Sequence, residues 1–120
     1  LGTRDKGPAV AGGGLKSRFA PHSMTPSEFK ISIQNHAAPP SDSSPEAAAL
    51  WHAKKGNWEA AHNIAQDIHT PMGSWIHALL HLIEGDQWNA DYWFSKARKP
   101  SRKPAGIDAL WDEIAAAVLS

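Results

Sequence analysis

Apolar residues recur along this chain at the three- and four-residue spacing of amphipathic helices. No segment alternates apolar and polar residues over the length of a strand, so the pattern predicts an all-α fold without a β-sheet. Five helices are expected between Pro45 and Leu119, in the approximate ranges 46–55, 57–68, 74–84, 86–98 and 107–119. Asn57 and Asp86 are expected to cap the second and fourth of these helices.

The N-terminal third of the chain has a different character. Residues 1–23 contain a glycine-rich stretch and isolated prolines without an apolar period, which predicts disorder. The sequence Thr25-Pro26-Ser27-Glu28 then predicts a helix start, with a capping threonine, proline at the first helical position and glutamate three residues after the cap. The expected organisation is a disordered segment over 1–23, a short helix to about His36 with its linker over 24–44, and a helical repeat domain over 45–120.

Internal similarity is the strongest signal within that domain. Gly56 and Gly85 lie 29 residues apart. The same shift relates five further identical pairs, namely Ala49 and Ala78, Leu50 and Leu79, His52 and His81, Ala61 and Ala90, and Pro71 and Pro100. Glycine permits a tight turn, alanine permits close helix approach and proline ends a unit, so the pattern predicts tandem helical hairpins. The final helix looks like a closing half-repeat that covers the end of the stack.

On these residues the chain resembles the tetratricopeptide-repeat family. The turn residues 56–58 and 85–86, with Ala61 and Ala90, match the family's turn between its two helices, and Phe94, Ala97 and Pro100 match the large, small and terminating positions that follow. The resemblance covers about 45–119. It implies a right-handed stack of antiparallel helix pairs with a closing C-terminal helix. It also implies a concave groove of the kind that binds a protein or peptide.

The chain departs from that family in two respects. Its units are shorter than the usual ~34 residues, and Gln87 stands where the family has an aromatic residue. A second resemblance is to a group of small uncharacterised bacterial proteins, carried by the residues Trp75-Ile76-His77-Ala78, His81, Glu84-Gly85-Asp86, Asn89-Ala90 and Tyr92-Trp93. That resemblance implies a sequence pattern shared by these proteins, and it indicates no activity.

Composition narrows the classes of partner. Twelve basic residues balance twelve acidic ones, so the basic surplus of a nucleic-acid binder is missing. The apolar stretches are too short to span a bilayer, the basic N-terminal residues lack the apolar run of a signal peptide, and there is no cysteine. We therefore expect a cytoplasmic protein without a nucleic-acid or membrane partner.

A polar stripe on the third predicted helix is the first candidate for chemistry. His77, His81 and Glu84 fall on one arc at positions i, i+4 and i+7, opposite a broad apolar arc. Two imidazoles one turn apart and a carboxylate can bind one divalent metal ion. The repeat places His52 on the equivalent stripe of the first helix. The alternative is the ordinary polar face of an amphipathic helix, exposed to solvent.

The second candidate is the aromatic run Trp88, Tyr92, Trp93 and Phe94. Aromatic residues on two sides of one helix predict packing between neighbours on both sides, since large aromatic side chains dominate core energetics. The alternative is an aromatic-lined site for a peptide or small ligand. A basic loop follows, comprising Arg98, Lys99, Arg102 and Lys103, and it is a third candidate, for phosphate or for an acidic partner.

These patterns favour a binding or adaptor module with a protein or peptide partner over an enzyme. No nucleophile elbow, phosphate-binding loop or assembled catalytic site is recognisable, and no cofactor is expected other than a divalent metal. The candidate ligand-binding residues are His52, His77, His81, Glu84, Trp88 and Tyr92, of which His77, His81 and Glu84 are the candidate metal ligands. Two alternatives stay open: a metal- or small-ligand-binding protein that uses the histidine stripe with His52 or His62, and a structural subunit of a homodimer or larger homo-oligomer.

Overall fold

The computed structural model describes residues 24–120 as six α-helices and one 3₁₀ turn. The helices are α1 (Pro26–Asn35), α2 (Pro45–Lys55), α3 (Trp58–Ala65), α4 (Pro71–Ile83), α5 (Gln87–Ala97) and α6 (Ile107–Leu119), and the 3₁₀ turn at Pro104–Gly106 leads into α6. No strand occurs in this part of the chain, so the predicted all-α class is confirmed. The disorder predicted for 1–23 lies outside the described residues.

The start of α1 follows the predicted capping pattern. The backbone N–H of Glu28 donates to the Thr25 hydroxyl at 3.1 Å, and the backbone N–H of Thr25 donates to the Glu28 carboxylate at 2.9 Å. This reciprocal pair satisfies two backbone donors that a helix start leaves free. The helix ends at Asn35, one residue before the expected boundary.

The two turn glycines also behave as predicted. Gly56 and Gly85 follow α2 and α4 with φ angles of 95° and 86°, in the left-handed region that glycine adopts without strain. Their equivalent at the end of α5 is Arg98, with a φ of 60°. The backbone there closes the helix through a hydrogen bond from the Lys99 N–H to the Phe94 carbonyl at 3.0 Å.

Two predictions about helix ends were wrong. Thr70 and Pro71 do not end the first hairpin but begin α4, because the Thr70 hydroxyl accepts from the Gly73 N–H at 3.1 Å and proline at the first position has no N–H to leave unpaired. Helix α3 consequently stops at Ala65. Asn57 precedes α3 without a capping hydrogen bond from its side chain, whereas Asp86 caps α5 as predicted, accepting from the Asn89 N–H at 3.2 Å.

The core forms around α4, which packs against α2, α3, α5 and α6. Helices α2 and α3 form one hairpin and α4 and α5 another, and Ala61 and Ala90 are both fully buried. Helix α6 packs on α1, α2 and α4, and its Trp111 indole donates to the Leu50 carbonyl at 2.9 Å. None of the helices in residues 24–120 is long and apolar enough to cross a bilayer.

Candidate functional sites

Three histidines from two helices come together beside α5. His62 comes from α3, and His77 and His81 come from successive turns of α4. The solvent-exposed polar face that the alternative interpretation predicts is not found, since His77 and His81 retain only 6% and 9% of their accessible surface. The reason is the central position of α4, whose polar arc is covered by neighbouring helices as its apolar arc is. We call these three residues the histidine cluster.

The cluster is tight enough for its ring nitrogens to interact. The Nε2 atoms of His62 and His77 lie 3.0 Å apart. One possible ligand atom from each of the three residues can be chosen so that all three lie within 4.8 Å of one another. The rings of His77 and His81 stack with centroids 4.9 Å apart and planes 16° from parallel.

Two tryptophans hold the cluster from either side. Trp93 of α5 stacks on His77 with centroids 3.9 Å apart, and Trp58 of α3 stacks on His62 at 4.8 Å. The Trp58 indole N–H donates to the Leu80 carbonyl at 2.7 Å, which fixes that ring against α4. The imidazoles are therefore held by packing on both faces of the cluster, and a ligand would find them already oriented.

A carboxylate orients the third histidine. Oε2 of Glu84 lies 2.6 Å from Nδ1 of His81, three residues away along the last turn of α4. A proton on Nδ1 donates to this oxygen, and Nε2 of His81 is then left with its lone pair. Among residues 24–120, no other group hydrogen-bonds the His81 ring. Glu84 thus supports the cluster through His81.

Burial lowers the pKa of two members of the cluster, His77 and His62. It lowers the pKa of His77 to about 4, with the neighbouring His62 and His81 adding in the same direction. Burial and the proximity of His81 also lower the pKa of His62, and the Glu84 carboxylate partly opposes this. Both imidazoles are therefore neutral at pH 7, and their 3.0 Å contact is a hydrogen bond in which one Nε2 donates and the other accepts.

The predicted ligand set changes in two places. His52 is not a member of the cluster, because its ring lies edge-on against Trp51 and near the Asn57 amide. The third histidine of the cluster is instead His62 of α3, the second helix of the α2–α3 hairpin. Glu84 belongs to a separate acidic corner with Asp86, which also includes His81.

The aromatic run on α5 divides into two parts. Phe94 is buried and Trp93 is half-buried against the histidine cluster, as predicted for core residues. The expectation of core packing was wrong for Trp88 and Tyr92, which are 78% and 49% exposed. Helix α6, expected to cover this side, packs on α1, α2 and α4 instead.

Trp88, Tyr92 and Lys96 follow one another at four-residue spacing and form a continuous exposed ridge along α5. The Lys96 ammonium lies 5.7 Å from the centroid of the Tyr92 ring. We call these three residues the α5 ridge.

The basic loop after α5 is largely tied to the fold. Arg102 forms a 2.8 Å ion pair with Glu113 of α6, and the Lys99 ammonium lies 4.3 Å from the centroid of the Trp75 ring. Asp91 accepts from Gln87 at 2.8 Å, and it is joined to the loop by a short hydrogen bond from Ser101. Two of the four basic side chains, Lys99 and Arg102, therefore serve the packing of the loop.

Comparisons with known proteins add no family assignment. No family model matches the chain, and the searches of curated proteins and of solved structures likewise give no match. Function is consequently inferred from the histidine cluster and the α5 ridge.

Proposed function

We propose that this chain is a protein-binding module that docks an acidic segment of a partner protein on the α5 ridge. The observation that carries the proposal is the exposure of Trp88, which leaves 78% of its accessible surface in water next to a half-exposed Tyr92. Tryptophan and tyrosine are enriched among the residues that dominate binding energy in protein interfaces. An aromatic pair one turn apart on a single helix suits that role.

The energetics favour a partner on this surface. Burying a large apolar side chain contributes roughly 1.5–3 kcal/mol of stabilisation. Trp88 contributes little burial energy to folding because it stays outside the core, so most of this stabilisation is left for a complex. The opposite face of α5 supplies the packing of the helix, through Ala90, Phe94 and Ala97. Folding therefore does not require the exposed aromatic residues, whereas binding would use them.

Charge indicates what kind of partner fits. The ridge ends on Lys96, and the exposed residue Arg98 follows at the end of the helix. The carboxylate on the flank of the ridge, Asp91, is already engaged by Gln87 and Ser101. A complementary segment would place an apolar or aromatic side chain on Trp88 and Tyr92 and carboxylates next to Lys96.

The repeat architecture forms part of the same proposal. We propose that α2–α3 and α4–α5 are units of tetratricopeptide type, a reading supported by the left-handed glycine after the first helix of each pair and by the buried alanine in the second. On this reading α5 is the last second-type helix of the array. Its outer surface is then the place where a further unit, or a partner that replaces one, would pack.

Selection from a library of short random peptides tests the function. The full chain should enrich peptides that combine acidic residues with a large apolar residue, and Trp88→Ala should weaken the selected peptides at least tenfold by fluorescence anisotropy. The control is Ile31→Ala, which removes another exposed apolar side chain, on α1. A charge reversal, Lys96→Glu, should shift the selection away from acidic peptides.

Two results would contradict the proposal. One is a peptide selection that gives the same sequences with the Trp88→Ala protein. The other is sedimentation showing a dimer that dissociates on Trp88→Ala, since the ridge would then be an interface between copies of this chain.

A further inference from the structure

We infer that His62, His77 and His81 form a binding site for a divalent transition-metal ion, with Glu84 as the residue that positions His81. The site lies between α3 and α4 and is separate from the exposed ridge on which the proposed function rests. Imidazole nitrogens suit zinc, copper or nickel, and zinc commonly takes three protein nitrogens with a fourth position left for water or a ligand.

The spacing of the nitrogens supports the inference. Ligands bound to zinc at about 2.0–2.1 Å in tetrahedral geometry lie about 3.3 Å from one another. The Nε2 atoms of His62 and His77 are 3.0 Å apart, so a small ring movement would open that edge to the required length. His81 completes the triangle within 4.8 Å, so its ring has to approach by about 1.5 Å at most.

The carboxylate that hydrogen-bonds the His81 ring also suits a metal site. Histidines that bind metals commonly donate their other ring N–H to a carboxylate, which fixes the tautomer and raises the basicity of the coordinating nitrogen. Glu84 is placed for this at 2.6 Å from Nδ1 of His81, and leaves Nε2 to coordinate.

Two tryptophan rings pack against the cluster and hold its imidazoles in place. The Trp93 and Trp58 rings lie nearly parallel to those of His77 and His62, with interplanar angles of 13° in both pairs. The fold therefore already meets much of the cost of ordering these side chains before a metal binds.

Zinc titration of the metal-stripped full chain tests the inference. An excess of zinc about 100-fold over the dissociation constant should raise the melting temperature by on the order of 10 °C. The substitutions His62→Gln, His77→Gln and His81→Gln should each abolish that rise. His52→Gln is the matched control, since it removes a histidine outside the cluster and should leave the rise intact.

Two further measurements keep the test decisive if a buried histidine variant folds poorly. Glu84→Gln changes an exposed side chain and should weaken zinc binding 10- to 100-fold by isothermal titration calorimetry without preventing folding. X-ray absorption of the zinc-loaded protein should show imidazole nitrogens at about 2.0–2.1 Å.

The inference is overturned if zinc, nickel and cobalt all leave the melting temperature unchanged, or if His62→Gln retains the full shift. Trp88→Ala should leave zinc binding unaltered, so failure of the metal site and failure of the protein-docking function are separate results.

Discussion

Acidification should destabilise the metal-free protein through His77. Its pKa is about 4 in the fold, well below the ordinary 6.5, because the side chain is buried beside two other histidines. The unfolded chain therefore takes up a proton at this residue before the native state does. The stability that depends on the neutral ring is fully present above pH 6.5 and is lost as the pH falls toward 4.

The size of the effect follows from the two pKa values. At pH 7 both states are mostly neutral at His77, whereas at pH 5 the unfolded state carries the proton and the native state does not. Linkage then gives a loss of about 2 kcal/mol between pH 7 and pH 5. His62 shifts in the same direction and adds to the loss. A loss of this size is a large fraction of the stability of an ordinary domain, about 5–15 kcal/mol.

Urea denaturation in the presence of a chelator, at pH 7 and at pH 5, measures this loss. The variant His77→Phe keeps an aromatic ring against Trp93 but cannot take up a proton, so its unfolding free energy should fall less between the two pH values than that of the parent. His52→Phe serves as the control for replacing a histidine outside the cluster. Equal losses in the parent and in His77→Phe would show that the buried His77 ring is not the source of the acid sensitivity.

The remaining predictions concern packing. Replacing Ala61 or Ala90 with leucine should overpack fully buried positions and lower the unfolding free energy by about 1–3 kcal/mol, and an unchanged urea midpoint in both variants would contradict the packing described here. Gly73→Ala should be destabilising by a similar amount or more, since its new Cβ would collide with the Ile68 carbonyl oxygen and lie 2.7 Å from the Ile68 Cβ. Gly106→Ala is the matched control, because its new Cβ would meet nothing closer than 4.0 Å. Equal melting temperatures for the two glycine variants would show that Ile68, in the loop after α3, does not lie in close contact with Gly73 of α4.

Local chemistry explains why the helices and several of their ends could be read from the sequence. A capping box involves residues three apart, and a left-handed turn depends on one residue. The structural roles of Thr25, Gly56 and Gly85 can therefore be predicted from the few residues around each of them. At Pro71 the local pattern is ambiguous, because proline both disfavours the continuation of the preceding helix and suits the first turn of the next one. Thr70, which supplies the cap, resolves the choice in favour of α4.

The candidate sites depend on contacts that no local pattern specifies. The spacing of His77 and His81 placed them on one face of α4, but only the packing of α3 on that face brings His62 within 3.0 Å and removes the stripe from solvent. In the same way, four-residue spacing aligns Trp88 with Tyr92, while the packing of α6 on α1, α2 and α4 leaves that side of α5 exposed. Residues that share a helix face can be identified from their spacing alone, because an α-helix has 3.6 residues per turn. The covered faces cannot be identified in this way, because they depend on how whole helices pack against one another.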